Sequence, residues 1–352
     1  MKRVLINFPF SGYKKGDPRE ELFWGIVETC SKVEAKPIIV VINRDTLAKE
    51  GGKYADAFIN DLRVAQYELH VHETWSIDTC QSWLVGWGVA LGMLPCTNPK
   101  GDPPQVLPEP DPDEDRIVLL PGDIDTVAHP RVFFNTLRGF LNMGGFDIVV
   151  GDFETGEKLA TKDLIDLYGT YPLLAVWFPE IASATRDETI WKPRSEFLNV
   201  RAGALKELLL NKRKFAYEQT LNILIQSWDF ENRKWRYPVG AYRLGVFADD
   251  PNFRDVSGAI DQIERTERIL KMLWREFRFS EARCKAYAAK KDAEASATDV
   301  QQDQWHEAPE EVYKRIYREE SAKILRQYDR LESTSRAIEA AARVTVLSFI
   351  AQ

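Results

Sequence analysis

The chain lacks the features that take a protein to nucleic acid, into a membrane or to an oxidising compartment. Its 47 Lys and Arg are outnumbered by 54 Asp and Glu, for a net charge of −7, so the broad basic surface that phosphate backbones require is missing. Only four cysteines occur, Cys30, Cys80, Cys96 and Cys284. None belongs to a CxxC pair or a Cys/His cluster, which argues against a structural zinc site, and reduced, packed thiols in a cytoplasmic protein are the expectation. No apolar run approaches the roughly 20 residues of a membrane span. Val4-Leu5-Ile6 is too short for the core of a signal peptide and reads as a first strand. GxxxxGKS/T, GxGxxG and GxSxG are absent too, which counts against P-loop NTPases, dinucleotide dehydrogenases and α/β-hydrolases.

The composition is that of a globular protein: 352 residues, 44% apolar and 29% charged, enough for one large domain with an appendage or for two domains. Over the first 150 or so residues two hydrophobic periods alternate. Strands are expected at Val4–Phe8, Pro37–Ile42, Glu68–His72, Asp115–Leu120 and Phe146–Val150; helices at Glu20–Val33, Tyr54–Val64, Asp78–Leu94 and Pro130–Asn142. Pro37-Ile38-Ile39-Val40-Val41-Ile42 is continuously apolar and β-branched, as in a strand covered on both faces. Such alternation implies an α/β fold with a mostly parallel sheet. Ligands bind such sheets beyond the carboxyl ends of the strands, which directs attention to Asn7–Phe10, Asn43–Asp45 and Pro121–Asp125.

Between Thr97 and Asp115 six prolines rule out a regular element, and the run reads as an exposed inserted loop. From about residue 256 the pattern becomes purely helical. One stripe runs through Ile260, Ile263, Leu270 and Phe277, and a second through Tyr317, Ile324, Leu331 and Ile338. Residues 256–352 are therefore expected to form a hairpin of two long helices after an α/β domain of residues 1–255. Its apolar stripe packs on its partner helix and that domain, with homodimerisation through the same helices as the alternative.

Asp-x-Asp occurs at Asp111/Asp113, Asp113/Asp115 and Asp123/Asp125. Only the last directly follows a buried strand, through Pro121-Gly122. Carboxylates crowded at such an edge repel unless a cation or hydrogen bonds offset them. Mg²⁺ or Mn²⁺, held by one or two carboxylates, water and a diphosphate, meets that need. The structural alternative is that Asp123 caps a turn and Asp125 the following helix.

Over roughly residues 1–255 this order of elements resembles the GT-A glycosyltransferases of the family-2-like, nucleotide-sugar-using kind. The resemblance implies a Rossmann-type mixed, mostly parallel sheet and hexosyl transfer from a UDP- or GDP-sugar to an acceptor hydroxyl. It puts Phe8, Pro9, Phe10 and Asp45 at the donor base. Asp123 and Asp125 become the metal- and diphosphate-binding pair, and the Asp78–Leu94 helix a wall of the donor pocket. Glu196–Leu205 is similar to the family's acceptor-side stretch. Tyr217-Glu218-Gln219 is similar to its Glu-Asp motif, with Glu218 as the remaining candidate base. Gln219 stands where the family has Asp, which leaves inverting and retaining chemistry both open. Val246–Asp250 supplies a further metal ligand or a lid, although the His that the family often has there is missing. Arg194, Arg201, Arg213 and Arg243 are equivalent candidates for an anionic group.

Other signals have plainer readings. His70 and His72 share one face of a strand without a nearby third ligand. Trp75, Trp83 and Trp87 either stack on sugar or fill a core. The aromatic stretches Tyr168–Pro172 and Trp177–Glu180 are an acceptor-side loop or a satellite core. The rival functions are a nucleotidyltransferase acting on a sugar phosphate and a non-catalytic α/β assembly protein.

Overall fold

The computed structural model describes residues 2–9, 18–43, 52–74, 79–96, 103–122, 124, 127–155, 170, 174, 178, 181, 193–210, 219–229, 232, 234–247 and 269. The chain divides into two compact units. The first is Met1–Lys158 with Thr185–Trp228 and Trp235–Asp250; the second is Leu159–Ala184 with Asp229–Lys234 and Pro251–Gln352. Of the second, little is described. The Phe178 amide donates to the Leu174 carbonyl at 2.7 Å, and Leu174, Phe178, Ile181 and Ile269 are buried. The expected boundary at 255/256, the helical hairpin beyond it and most of Tyr168–Glu180 fall outside the described residues.

In the first unit the strands are β1 (Lys2–Pro9), β2 (Ile38–Asn43), β3 (Leu69–Thr74), β4 (Pro95–Cys96), β5 (Gln105–Val106), β6 (Arg116–Pro121), β7 (Ile148–Thr155), β8 (Leu198–Arg201) and β11 (Val239–Phe247). The short β9 (Trp228–Asp229) and β10 (Lys234–Trp235) precede β11. The helices are α1 (Pro18–Lys32), α2 (Gly52–Val64), α3 (Thr79–Ala90), α4 (Pro130–Asn142), α5 (Ala202–Leu210) and α6 (Gln219–Ser227). Seven strands form one sheet in the order β11-β7-β8-β6-β1-β2-β3. β1, β2, β3 and β6 pair in parallel, as do β7 and β11, whereas β8 is antiparallel to both β6 and β7. The protein is thus a mixed α/β protein with a Rossmann-type, mostly parallel sheet, as the alternation of periods implies.

Alternation within each strand sends side chains to two separate cores. On one face Val4, Ile6, Ile38, Val40, Ile42, Val118, Leu120 and Val149 meet α1, α2 and α4. On the other Leu5, Ile39, Val41, Ile117, Leu119, Ile148, Val150 and Leu198 meet α3, α5 and α6. Each fully buried large side chain contributes about 1.5–3 kcal/mol. Gly86 lets α3 lie close on the second face, since a Cβ there would stand 2.6 Å from Leu5 and 2.9 Å from Val41.

Several elements differ from expectation. Helix α3 stops at Ala90 instead of Leu94 because Gly92 turns the chain with φ of +71°, a conformation that favours glycine. Strand β7 continues beyond Val150 to Thr155, because β11 pairs along its whole length. The proline-rich run is only partly a loop. β5 pairs with β4, Leu107 and Pro110 are buried, and residues 111–115 form a hydrogen-bonded turn.

Candidate functional site

The parallel strands β1, β2, β6 and β7 all point their carboxyl ends to one edge. There the Gly122 amide donates to the Asn7 carbonyl at 2.6 Å, which fixes the residue preceding Asp123 beside β1. Ile124 packs into the first core. Beyond the turn, the Ala128 amide donates to the Val246 carbonyl at 3.3 Å. Gly122 is thus held at β1 and Ala128 at β11, with β6, β8 and β7 between those strands in the sheet.

Register aligns one further set of residues at this edge. Asn7 lies opposite both Val41 and Pro121, and Val41 opposite His72. Leu119 and Val150 both lie opposite Leu198, and Asp152 lies opposite Arg243. Two residues beyond Leu119 and Val150, Pro121 and Asp152 therefore occupy the same level of the sheet. Asn7, Asp152 and Arg243 each follow, by the two-residue alternation, Leu5, Val150 and Ala241 of the second core. At this level the row on the second face reads His72, Val41, Asn7, Pro121, Glu196, Asp152 and Arg243, polar except at Val41 and Pro121.

Asn7 is 1% exposed, and among the described residues neither its Oδ1 nor its Nδ2 has a hydrogen-bond partner. Burying an amide in this state is unfavourable by about 1–3 kcal/mol. Asp152 is fully buried and faces the Arg243 guanidinium at 3.4 Å. The chain leading into β8 is fixed at the same edge. Ser195 Oγ donates to the Gly151 carbonyl at 2.6 Å, the Phe197 amide donates to Ser195 Oγ at 3.2 Å, and Thr220 Oγ1 donates to the Ser195 carbonyl. That last bond ties the first turn of α6 to the edge.

Of the residues singled out from sequence, Phe8 and Pro9 end β1, paired with Ile42 and Asn43 of β2, with their side chains outside the description. Phe10, Asp45, Asp123, Asp125 and Glu218 lie outside the described residues. Asp45 comes two residues after the end of β2, and Glu218 immediately precedes α6. Trp83 and Trp87 are fully buried in the second core, so they fill the interior and do not stack on a ligand; Trp75 is not described. His70 Nδ1 lies 3.7 Å from Cys96 Sγ. Burial holds the His70 pKa below its ordinary value against the opposing pull of Glu68, and burial pushes the Cys96 thiol up. Among the described residues no group of three His, Cys, Asp or Glu is placed to hold a metal.

The two other Asp-x-Asp matches serve the fold. Asp111 Oδ1 accepts the amides of Asp113 and Glu114 at 2.9 and 3.1 Å, and the Asp111 amide donates to Asp115 Oδ2 at 2.9 Å. Those backbone donors hold the Asp111 carboxyl below its usual range. Arg201 grips Asp147 through Nε at 2.7 Å and Nη2 at 3.3 Å, and donates through Nη1 to Asp113 at 3.2 Å. It lies opposite Arg116, the first residue of β6, at the amino edge of the sheet. Arg201 is therefore no candidate for a ligand at the carboxyl edge. Sequence reasoning missed Asp152, whose signal is an acidic residue closing the apolar run Ile148-Val149-Val150-Gly151.

The chain matches no protein-family model and no curated protein. Among solved structures it is similar to a mycobacterial protein, with 13% identity and a TM-score of 0.47 over 78% of this chain and 74% of that one. It is also similar to M. tuberculosis glucosyl-3-phosphoglycerate synthase, with 14% identity and a TM-score of 0.42 over 78% and 80%. Superpositions this loose say nothing of donor, acceptor or reaction. The structure itself defines the class: a mixed α/β protein with Asn7, Asp152 and Arg243 in one row at the carboxyl edge of its sheet.

Proposed function

We propose that the protein is a GT-A-like glycosyltransferase that moves a sugar from a UDP- or GDP-sugar to an acceptor hydroxyl at this carboxyl edge. The observation that carries the reading is the Gly122–Asn7 hydrogen bond. It fixes Gly122, which precedes Asp123, on the edge where β1, β2 and β6 end together, beside the buried amide of Asn7, which has no partner among the described residues. Sheets of this kind bind their ligands there.

In this reading Phe8, Pro9, Phe10 and Asp45 take the nucleoside. Asp123 and Asp125 hold Mg²⁺ or Mn²⁺ with the diphosphate; two carboxylates, completed by water and phosphate oxygens, suit such an ion. A metal held by Asp123 and Asp125 would supply positive charge where the departing nucleoside diphosphate becomes more negative. Glu218, next to the tethered start of α6, accepts the proton of the attacking hydroxyl in an inverting reaction. Arg243 is the arginine among the sequence candidates whose described position is in the polar row.

Thermal unfolding with a panel of UDP- and GDP-sugars tests the reading. Mn²⁺ together with the matching donor is expected to raise the midpoint, and Asp125→Ala to remove the rise. Absence of any rise in the wild type across the panel would refute it.

A further inference from the structure

We infer that Arg243, oriented by the buried carboxylate of Asp152, is the contact point for an anionic group, a phosphate or a carboxylate, of the bound ligand. The inference rests on the glycosyltransferase reading for what the ligand is, but not for the existence of the anion site.

The geometry points to it in three ways. First, the pair is asymmetric: the Asp152 side chain is 0% exposed and that of Arg243 is 42% exposed. A fully buried carboxylate beside a half-exposed guanidinium holds one edge of the arginine while leaving part of the side chain exposed. Arginine's planar fork matches phosphate and carboxylate oxygens, and holding it in advance reduces the entropy lost on binding. Second, the pair lies in the same row as Asn7, with Asp152 three and Arg243 four strand positions from it in the sheet order, or about 14 and about 19 Å at ordinary strand spacing. Asn7, on β1 within the same row, carries a buried amide with no hydrogen-bond partner among the described residues, so the row offers polar contacts on more than one strand. Third, just beyond Arg243 the β7–β11 register slips between Arg243 and Val246, and Gly245 has φ of +107°. A bulge at this point re-aims the strand next to a site, a common place for one. Arg201, at the opposite edge of the sheet, is paired with Asp147 and Asp113, which makes it an internal control for position.

The anion has two chemical sources, the donor diphosphate or an acidic acceptor, and the same titrations separate them. Full-length wild type, Arg243→Gln and Arg201→Gln are titrated calorimetrically with UDP plus Mn²⁺, and with inorganic phosphate in the presence and absence of saturating UDP and Mn²⁺. One charged contact is worth about tenfold to a hundredfold in affinity. Wild type is expected to bind phosphate, Arg243→Gln to lose about that factor, and Arg201→Gln to bind as wild type does. If the loss appears for phosphate on the UDP-saturated protein, the anion belongs to the acceptor. If it appears for UDP with Mn²⁺, the anion is the donor's. Should Arg243→Gln bind both probes as tightly as wild type, or wild type bind neither, the inference is overturned. A protein that binds phosphate through Arg243 but no nucleotide would sink the glycosyltransferase reading and leave the anion site standing.

Asp152→Asn tests the positioning role. It is expected to weaken the same probe as Arg243→Gln, whereas a merely structural pair would leave affinity unchanged in any folded variant. If Asp152→Asn alone fails to fold, the double variant Asp152→Asn with Arg243→Gln removes the unbalanced charge. Recovery of wild-type probe affinity in that double variant would also overturn the inference.

Discussion

Replacing Asn7 by leucine separates stability from binding at the centre of the candidate site. Leucine keeps the branching of asparagine and puts methyl groups where Oδ1 and Nδ2 stand. Asn7 is 1% exposed and both atoms lack partners among the described residues, so the native chain bears an uncompensated desolvation of about 1–3 kcal/mol. The neighbours across the sheet, Val41 and Pro121, and Leu5 two residues earlier on the same face, are apolar and accept a methyl. Relieving about 2 kcal/mol should raise the unfolding midpoint by about 4–8 °C, at about 2–4 °C per kcal/mol for a domain of this size. Differential scanning calorimetry of the ligand-free protein measures this directly, with urea unfolding as a check that the slope is unchanged. The same variant should lose most of the rise that Mn²⁺ and the matching nucleotide sugar give the wild type. A midpoint that falls by a similar amount would show that the amide is satisfied in the native protein and would refute the reasoning. A stabilised variant that keeps the full ligand-induced rise would separate Asn7 from the site.

Two further outcomes follow from the packing. Trp87→Ala removes a fully buried indole from the second core and should cost about 3–5 kcal/mol, seen as a lower urea midpoint; a loss below about 1 kcal/mol would put Trp87 outside the load of that core. Burial lowers the His70 pKa below its ordinary 6.5. As pH falls through that value, the unfolded chain takes up a proton that the folded chain resists, so stability is present above pH 6.5 and declines below it. His70→Gln should flatten the decline in urea midpoint between pH 7.5 and pH 5.5, and an unchanged slope would assign the effect elsewhere.

Much of the fold could be read from residue order. Strand and helix periods differ, 2 against 3.6, and runs such as Ile38-Ile39-Val40-Val41-Ile42 admit burial only on both faces. That was enough for the class of sheet and for the approximate limits of its first five strands. The end of α3 was misplaced, because apolar residues continue past Ala90 and the single glycine that turns the chain, Gly92, has no hydrophobic signature. The short pairing of β4 with β5 was invisible for a similar reason: two residues in a proline-rich run have no period.

The candidate site divides along the same line. Residue order alone marked Asp123 and Asp125 among three acidic matches, since only they follow a buried strand. It could not show that Asp111, Asp113 and Asp115 are engaged by backbone amides and by Arg201. It also left four arginines equivalent. Only the tertiary structure separated Arg201 from Arg243, at opposite edges of one sheet, and brought Asn7, Asp152 and Arg243 into one row. The physical reason is register. Which residue of β7 lies level with which residue of β1 depends on hydrogen bonds through β6 and β8, between partners 48 to 114 residues apart in the chain, and no local pattern records that alignment.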